Sequence, residues 1–364
     1  VVASLYVHIP FCRHICGYCD FTKMFYEPKW ALSYVQELKK EIAAFHLPAH
    51  SLKTVYLGGG TPTCLPKELL GDLLDFLSKY WDPADYECTV EGNPETIDET
   101  LPLFLKQHGV NRFSLGIESS SPRLLSLMGR HHTFADAKTA ISRLKAAGLT
   151  NISADFIYAL PNETMDELQG DIAAFLSLDL PHLSAYSLTV SPGTGFAHQG
   201  YHEADEQIQG AMYEMILRAF RQAGYTRYEV SNFARNHAYS RHNLTYWHDE
   251  EYAAAGLGAS GYLGRVRYTN TKNLTSYLKG EWRGESETLS RQSEHEDYFL
   301  TNLRLADGFS LHQYQARFQE DFLTVYRVPF QQLEAEGLLL HEGDRIHATD
   351  RGILLLDRIL LALF

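Results

Sequence analysis

Apolar positions along the first 190 residues switch repeatedly between two periods. Short runs rich in β-branched and aromatic residues predict strands at 5–9, 54–58, 86–92, 112–117, 152–158 and 183–188. Between them, apolar residues recur at helical spacing over 30–45, 67–79, 99–107, 122–127, 134–147 and 164–178. Six strand–helix units within about 200 residues predict an α/β fold, a parallel sheet curling into a partial (β/α)6 barrel. Chemistry in such folds gathers at the C-terminal ends of the strands.

Beyond residue 190 the repeat stops. A helical pattern at 206–223 leads into RYEVSNFARNHAYSRHNLTYW, dense in polar and aromatic residues, and then into the small-residue stretch AAAGLGASGYLG. The last 70 or so positions read as helices, a strand at 338–340, a Glu342-Gly343-Asp344 turn, a strand at 345–348 and a final helix. Helices capped by a small hairpin resemble a winged helix. The expected division is a barrel over 1–200, a mixed extension over 201–290 and a helical, winged-helix-like end over 291–364. No low-complexity linker or internal repeat separates them, so they are expected to dock tightly.

Length is consistent with this division, since 364 residues allow about two domains at roughly 150 residues each. Lys and Arg number 32 against 45 Asp and Glu, a net charge of −13. Such a surplus of acid argues against a nucleic-acid partner and favours a packing role for the winged-helix-like end. The longest apolar run, 353–364, is interrupted by Asp357 and Arg358 and falls short of the ~20 residues a membrane span needs. The first residues lack the basic start, apolar core and cleavage site of a signal peptide. A cytoplasmic, reducing location is expected, with room for peripheral membrane association.

The cysteines change the picture. An odd total of five argues against a disulfide framework, and three of them, Cys12, Cys16 and Cys19, fall within FCRHICGYCDF. The isolated Cys64 and Cys88 read as small buried hydrophobes. Three thiolates at CxxxCxxC spacing suit a soft metal centre, either zinc or an iron–sulfur cluster. Structural zinc needs a fourth ligand from His8, His14 or Asp20. A cubane cluster manages with three cysteines and leaves one iron open to a ligand.

Other unusual residues collect where strands are expected to end: GGGTPT after the second, EGNPE after the third, GIES after the fourth and DFIYALP at the fifth. Gly58-Gly59-Gly60-Thr61 lacks the Lys of a phosphate loop. It reads either as close backbone approach to a small ligand or as a tight strand-to-helix turn.

Taken together and in this order, YVHIPFCRHICGYCDF, GGGTPT, EGNPE, GIES, DFIYALP and RHNLTYW resemble the radical S-adenosylmethionine (SAM) proteins related to oxygen-independent coproporphyrinogen III oxidase. The motifs cover most of the chain to about residue 280. The resemblance implies that Cys12, Cys16 and Cys19 hold a [4Fe–4S] cluster whose fourth iron is chelated by SAM, and that electron transfer splits the sulfonium into methionine and a 5′-deoxyadenosyl radical. By position, it implies that Tyr6, Gly58, Gly59, Gly60 and Thr61 line the methionine end and that Glu91 holds the ammonium. Arg130 would meet the carboxylate and Asp155 the ribose hydroxyls. Glu118 belongs to the same segment, but the family usually carries Gln there, so an amide donor is replaced by a carboxylate.

Within this group the chain is most similar to the heme chaperone branch. The oxidase has a fourth cysteine, CxxxCxxCxC, where this chain follows Cys19 with Asp20 and Phe21, and a long segment before the motif, where this chain has 11 residues. The chaperone branch implies heme or another tetrapyrrole as cargo, a heme-accepting protein, an electron donor for the cluster and a cluster-dependent dimer. The alternative is an oxidase that decarboxylates two propionates of coproporphyrinogen III; a radical methyltransferase or heme-opening enzyme is a third reading. The branch also shares an HNxxYW motif, present here from His242 to Trp247 and proposed to handle heme. His242 reads equally as an axial heme ligand and as a buried hydrogen-bonding residue that joins the barrel to the C-terminal part of the chain.

Overall fold

The computed structural model describes residues 2–364. Strands β1 (Ser4–Ile9), β2 (Thr54–Gly59), β3 (Glu87–Gly92), β4 (Arg112–Glu118), β5 (Ile152–Tyr158) and β6 (His182–Ser187) lie side by side in chain order, all parallel. The segments between them carry helices α1 (Pro28–Ala44), α2 (Lys67–Leu77), α3 (Leu101–Gln107), α4 (Pro122–Met128), α5 (Phe134–Ala146) and α6 (Met165–Leu176). Local chemistry sets where several begin. Thr133 and Thr164 form capping boxes with Asp136 and Glu167, and Ser121 caps α4 ahead of Pro122.

The predicted strands and helices match these to within a few residues. The sheet, however, runs further than the six units. Past β6 come β7 (Thr226–Arg227) and β8 (Asn232–Ala234), both in antiparallel pairings, and β9 (Ala253–Ala255) adds in parallel to β1 at the opposite edge. The order is β9-β1-β2-β3-β4-β5-β6-β8-β7, with two free edges, so the barrel is partial. Three successive alanines carry no β-branched signal, and pairing with β1 rather than propensity makes them a strand.

The strands divide cleanly by side-chain parity. One face is apolar: Leu5, Val7 and Ile9, then Val55 and Leu57, Val90, Phe113 and Leu115, Ala154 and Phe156, all buried in one core cluster. Each large side chain so buried contributes about 1.5–3 kcal/mol. The opposite face is polar on every strand: Ser4, Tyr6 and His8; Thr54 and Tyr56; Glu87, Thr89 and Glu91; Arg112 and Ser114; Ser153 and Asp155; His182, Ser184 and Tyr186. A barrel lined this way is a hydrogen-bonded channel rather than a greasy core.

One mouth of that channel is plugged. Helix α7 (Glu206–Gln222) returns the chain, and α8 (Arg241–Trp247) sits against the starts of the strands. Ser4 meets Thr245 at 2.9 Å, Thr54 meets His242 at 2.7 Å, and Glu87 accepts the backbone N–H groups of Arg241 and His242, each at 3.1 Å. A three-stranded antiparallel sheet (Ser260–Leu263, Val266–Asn270, Arg283–Thr288) comes next. The end of the chain packs helices Arg291–Asn302, Leu311–Phe318 and Arg327–Ala335 around a second small sheet whose hairpin joins Leu339–Glu342 to Arg345–Ala348. Asp249 fastens this part by accepting from Arg267 at 3.1 Å and Arg317 at 2.6 Å. Among the described residues no helix is long and apolar enough to cross a membrane.

Candidate functional site

At the other end of the barrel the strands run into a cavity of about 480 Å3. Its walls bring together Cys12, Cys16 and Cys19 with Gly59, Gly60, Thr61, Glu91, Glu118, Arg130 and Asp155. Positions as far apart in sequence as 12 and 155 meet because parallel strands all present their C-terminal ends on one side.

The cysteine loop is anchored at several points. The short pair Phe11–Cys12 and Met24–Phe25 closes its base, Gly17 donates to Met128 O at 3.0 Å, and Gly17 O accepts from Phe196 N at 2.8 Å. Asp20 accepts from Ser191 Oγ at 2.9 Å. Burial raises the Cys12 thiol and pushes Cys19 up to about 11, so both favour the protonated form until a metal replaces the proton. Of the three side chains weighed as a fourth zinc ligand, His8 bonds Tyr6 at 3.0 Å and Thr22 O at 2.7 Å, Asp20 holds Ser191, and His14 lies exposed beside the His131 ring with no hydrogen bond to any described residue. Three soft donors around a roomy cavity fit a [4Fe–4S] cluster with one iron facing the open space.

Three carboxyl groups on neighbouring strands face that space. Glu91 accepts Tyr56 Oη at 2.8 Å and Gly59 N–H at 3.1 Å, and Asp155 accepts Ser114 Oγ at 2.9 Å. Glu118 lies 4.0 Å from Arg130. Burial raises all three, Glu91 and Glu118 to about 7. Glu118 enters the cavity through a register break in β4, where Gly116 pairs with Asp155 and Glu118 with Phe156, and its backbone is left-handed at φ 71°. Bulges re-aim side chains in this way, and strain of this kind concentrates at functional sites. Arg130 reaches Cys16 Sγ at 3.5 Å and Asn93 Oδ1 at 3.0 Å, also donates to Gly116 O, and keeps its buried Nε without a partner. Acidic walls with one buried, under-satisfied guanidinium suit a zwitterionic ligand of cationic character, and SAM is one.

The glycine loop has a reason in the protein itself. A Cβ on Gly59, at φ 108°, would lie 2.3 Å from the His8 ring, and one on Gly58 would lie 2.8 Å from the Glu91 carboxyl carbon. Gly59 and Gly60 line the cavity, whereas Gly58 stands behind Glu91 and makes room for it.

Tyr6 and His242 do not reach the cavity wall. Tyr6 lies in the barrel interior, its hydroxyl on His8 Nδ1 and its ring 6.2 Å from Tyr56 and 6.5 Å from His242. His242 belongs to the plug at the opposite mouth and is fully buried. Its Nδ1 bonds Thr54 Oγ1 at 2.7 Å, its Nε2 bonds Tyr246 Oη at 2.8 Å, and burial lowers it to about 3. In this arrangement both ring nitrogens are engaged, and His242 is a buried residue joining the barrel to its C-terminal part.

Sequence reasoning passed over Tyr18, Tyr56, Asn93, Ser114 and Tyr186, which complete the lining. The signal that finds most of them is the parity of the strands. Most inward-facing residues of β2 to β6 are polar, which an ordinary barrel core does not tolerate.

Comparison with known proteins bears on this geometry. Residues 6–174 match the Radical SAM superfamily and residues 289–355 the HemN C-terminal domain. A heme chaperone HemW of Lactococcus lactis is 38% identical over 357 residues, covering 96% of this chain and 94% of that protein. The corresponding HemW of Escherichia coli is 30% identical over 368 residues, covering 98% and 97%. The chain belongs to the HemW family. Membership of this radical SAM family implies a [4Fe–4S] cluster and SAM as cofactors, which the cysteine loop and acidic cavity fit. Among solved structures, the E. coli coproporphyrinogen III oxidase HemN superposes with a TM-score of 0.86 over 100% of this chain and 90% of that one. At 22% identity that likeness speaks for the fold alone.

Proposed function

We propose that this HemW-family chain is a heme chaperone, which binds heme and passes it to an acceptor protein while carrying a [4Fe–4S] cluster and SAM. The observation that carries this reading is likeness to curated heme chaperones along almost the whole chain. Phe21 supports it. The position of the oxidase's fourth cysteine, two residues after Cys19, is here an exposed phenyl ring that cannot ligate iron.

When bound, the cluster and SAM supply one-electron reducing chemistry at the cavity. The chain's own part is to bind and orient. Cys12, Cys16 and Cys19 hold the cluster, with Thr61 Oγ1 donating to Cys12 Sγ at 3.7 Å. Glu91 receives the ammonium of SAM and Arg130, which lines the cavity, its carboxylate. Asp155, held by Ser114 and Ser153, receives the ribose hydroxyls. Gly59 and Gly60 offer backbone at close range, Gly58 seats Glu91, and Tyr6 supports Tyr56 and His8 from below. Glu118 stands beside Arg130 and orients it. His242 acts by closing the far mouth. This role carries with it a cytoplasmic location, an electron donor, a heme-accepting protein and a dimer that depends on the cluster.

Anaerobically reconstituted protein tests the reading. It is expected to bind heme stoichiometrically and to leave coproporphyrinogen III unchanged in the presence of SAM and reductant. Robust formation of protoporphyrinogen would instead establish the oxidase, the second reading, which the match of residues 289–355 to the HemN C-terminal domain keeps in view.

A further inference from the structure

We propose that heme binds at the mouth of the cluster cavity, with His14 as its axial ligand and His131 backing it. The inference rests on the heme-chaperone reading and adds the site.

His14 belongs to the cysteine loop and lines the cavity; His131 comes directly after Arg130, on the far side of α4. Their rings lie 3.9 Å apart, centroid to centroid, and both side chains are exposed. Among the described residues, neither makes a hydrogen bond or ion pair to the protein, whereas His8, His132, His182 and His242 are each buried and bonded. An unengaged neutral imidazole is a competent iron ligand. At 3.9 Å the two rings are too close to clasp one iron from opposite faces. One ring therefore coordinates while its neighbour, tilted 38° to it, packs beside it and limits its direction. His14, on the cavity wall, is the ligand.

The same loop offers what the rest of a porphyrin needs. Ile15 and Phe21 line the mouth at 37% and 63% exposure, and Phe25, paired with Cys12, is 66% exposed. Exposed apolar side chains gathered on one short loop mark a binding surface, and aromatic rings suit a flat macrocycle. Arg13 is exposed next to His14 and stands ready for a propionate group, while Lys23, which also lines the cavity, donates to Cys19 O and Phe21 O. Heme held there would lie over the cluster cavity itself, at the end of the barrel opposite the His242 plug.

Heme titration of cluster-loaded protein, followed through the Soret band, tests the assignment. The His14→Gly variant is expected to bind heme at least tenfold more weakly with a shifted Soret maximum, and added imidazole should restore the wild-type position. His131→Ala should weaken binding less, and His242→Ala should leave the Soret position unchanged. Retention of the cluster absorbance in each variant guards against misfolding. If the wild type binds heme and the His14→Gly, His131→Ala double variant binds it with the same affinity and spectrum, this site is wrong and the chaperone reading stands. If the wild type binds no heme, both are wrong.

Discussion

Thr54 Oγ1 and His242 Nδ1 stand 2.7 Å apart across 188 positions of sequence, and this contact joins the start of β2 to the helix that plugs the barrel. The other ring nitrogen of His242 is held by Tyr246, so the buried imidazole bridges two hydroxyl groups. Truncating it would leave the buried Thr54 hydroxyl and the half-buried Tyr246 hydroxyl without this partner.

His242→Ala is therefore expected to cost about 2–4 kcal/mol of stability, read by urea unfolding of the cluster-loaded protein. The loss should depend on pH. Burial depresses His242 from an ordinary value near 6.5 to about 3, so its contribution is full above pH 6.5 and declines as pH falls toward 3. A variant as stable as the wild type at pH 7.5 would contradict the plug.

Cys16→Ala removes one of three cluster ligands. Anaerobically reconstituted variant should lack the broad brown absorbance of the wild type while still binding heme, since the proposed imidazole ligand lies outside the thiol set. An unchanged visible spectrum would reject the ligand assignment.

SAM binding should weaken in mild acid. Burial raises Glu91 to about 7, so at pH 6 only about a tenth of it is ionised to meet an ammonium. Calorimetry is expected to give a dissociation constant about tenfold higher at pH 6 than at pH 8. Glu91→Gln should bind weakly at both and lose that dependence. Equal affinity at the two pH values in the wild type would remove Glu91 from the role.

Glu118→Gln restores the residue usual in the wider group. The side chain keeps its shape beside Arg130, so SAM affinity at pH 8 should change less than threefold, whereas Glu118→Lys, placing a cation 4.0 Å from a guanidinium, should lose at least tenfold. Equal affinities for the two variants would show that Arg130 does not depend on its neighbour.

Gly59→Ala should fold poorly or not at all, because its Cβ falls on the His8 ring and its φ of 108° is closed to L-residues. Gly148→Ala, also at positive φ but with nothing within 4 Å, is the control and should cost only about 1 kcal/mol. Comparable melting temperatures for the two would show that the loop can yield.

Much of the fold was legible because strand and helix periods alternate and the motif residues sit at strand ends. Three features were not. Ala253–Ala255 forms a strand only because β1 offers it an edge. Glu118 reaches the cavity by a bulge, which no spacing rule announces. His242 reads in sequence as either a ligand or a buried bridge, since the choice depends on Thr54 and Tyr246, and Thr54 is remote in the chain. By contrast, the polar parity of β1 to β6 was present in the sequence throughout, and it marks the lining residues that the motifs omit.

Gly17, in the middle of the cysteine loop, is held by Met128 on one side and Phe196 on the other. During synthesis the three thiols therefore leave the ribosome long before either clasp exists, and the barrel's far mouth stays open until residue 242 has emerged. A nascent chain ending near residue 174 would carry the Met128 clasp without the Phe196 one, so the cysteine loop reaches its full set of anchors only when residue 196 has joined the fold.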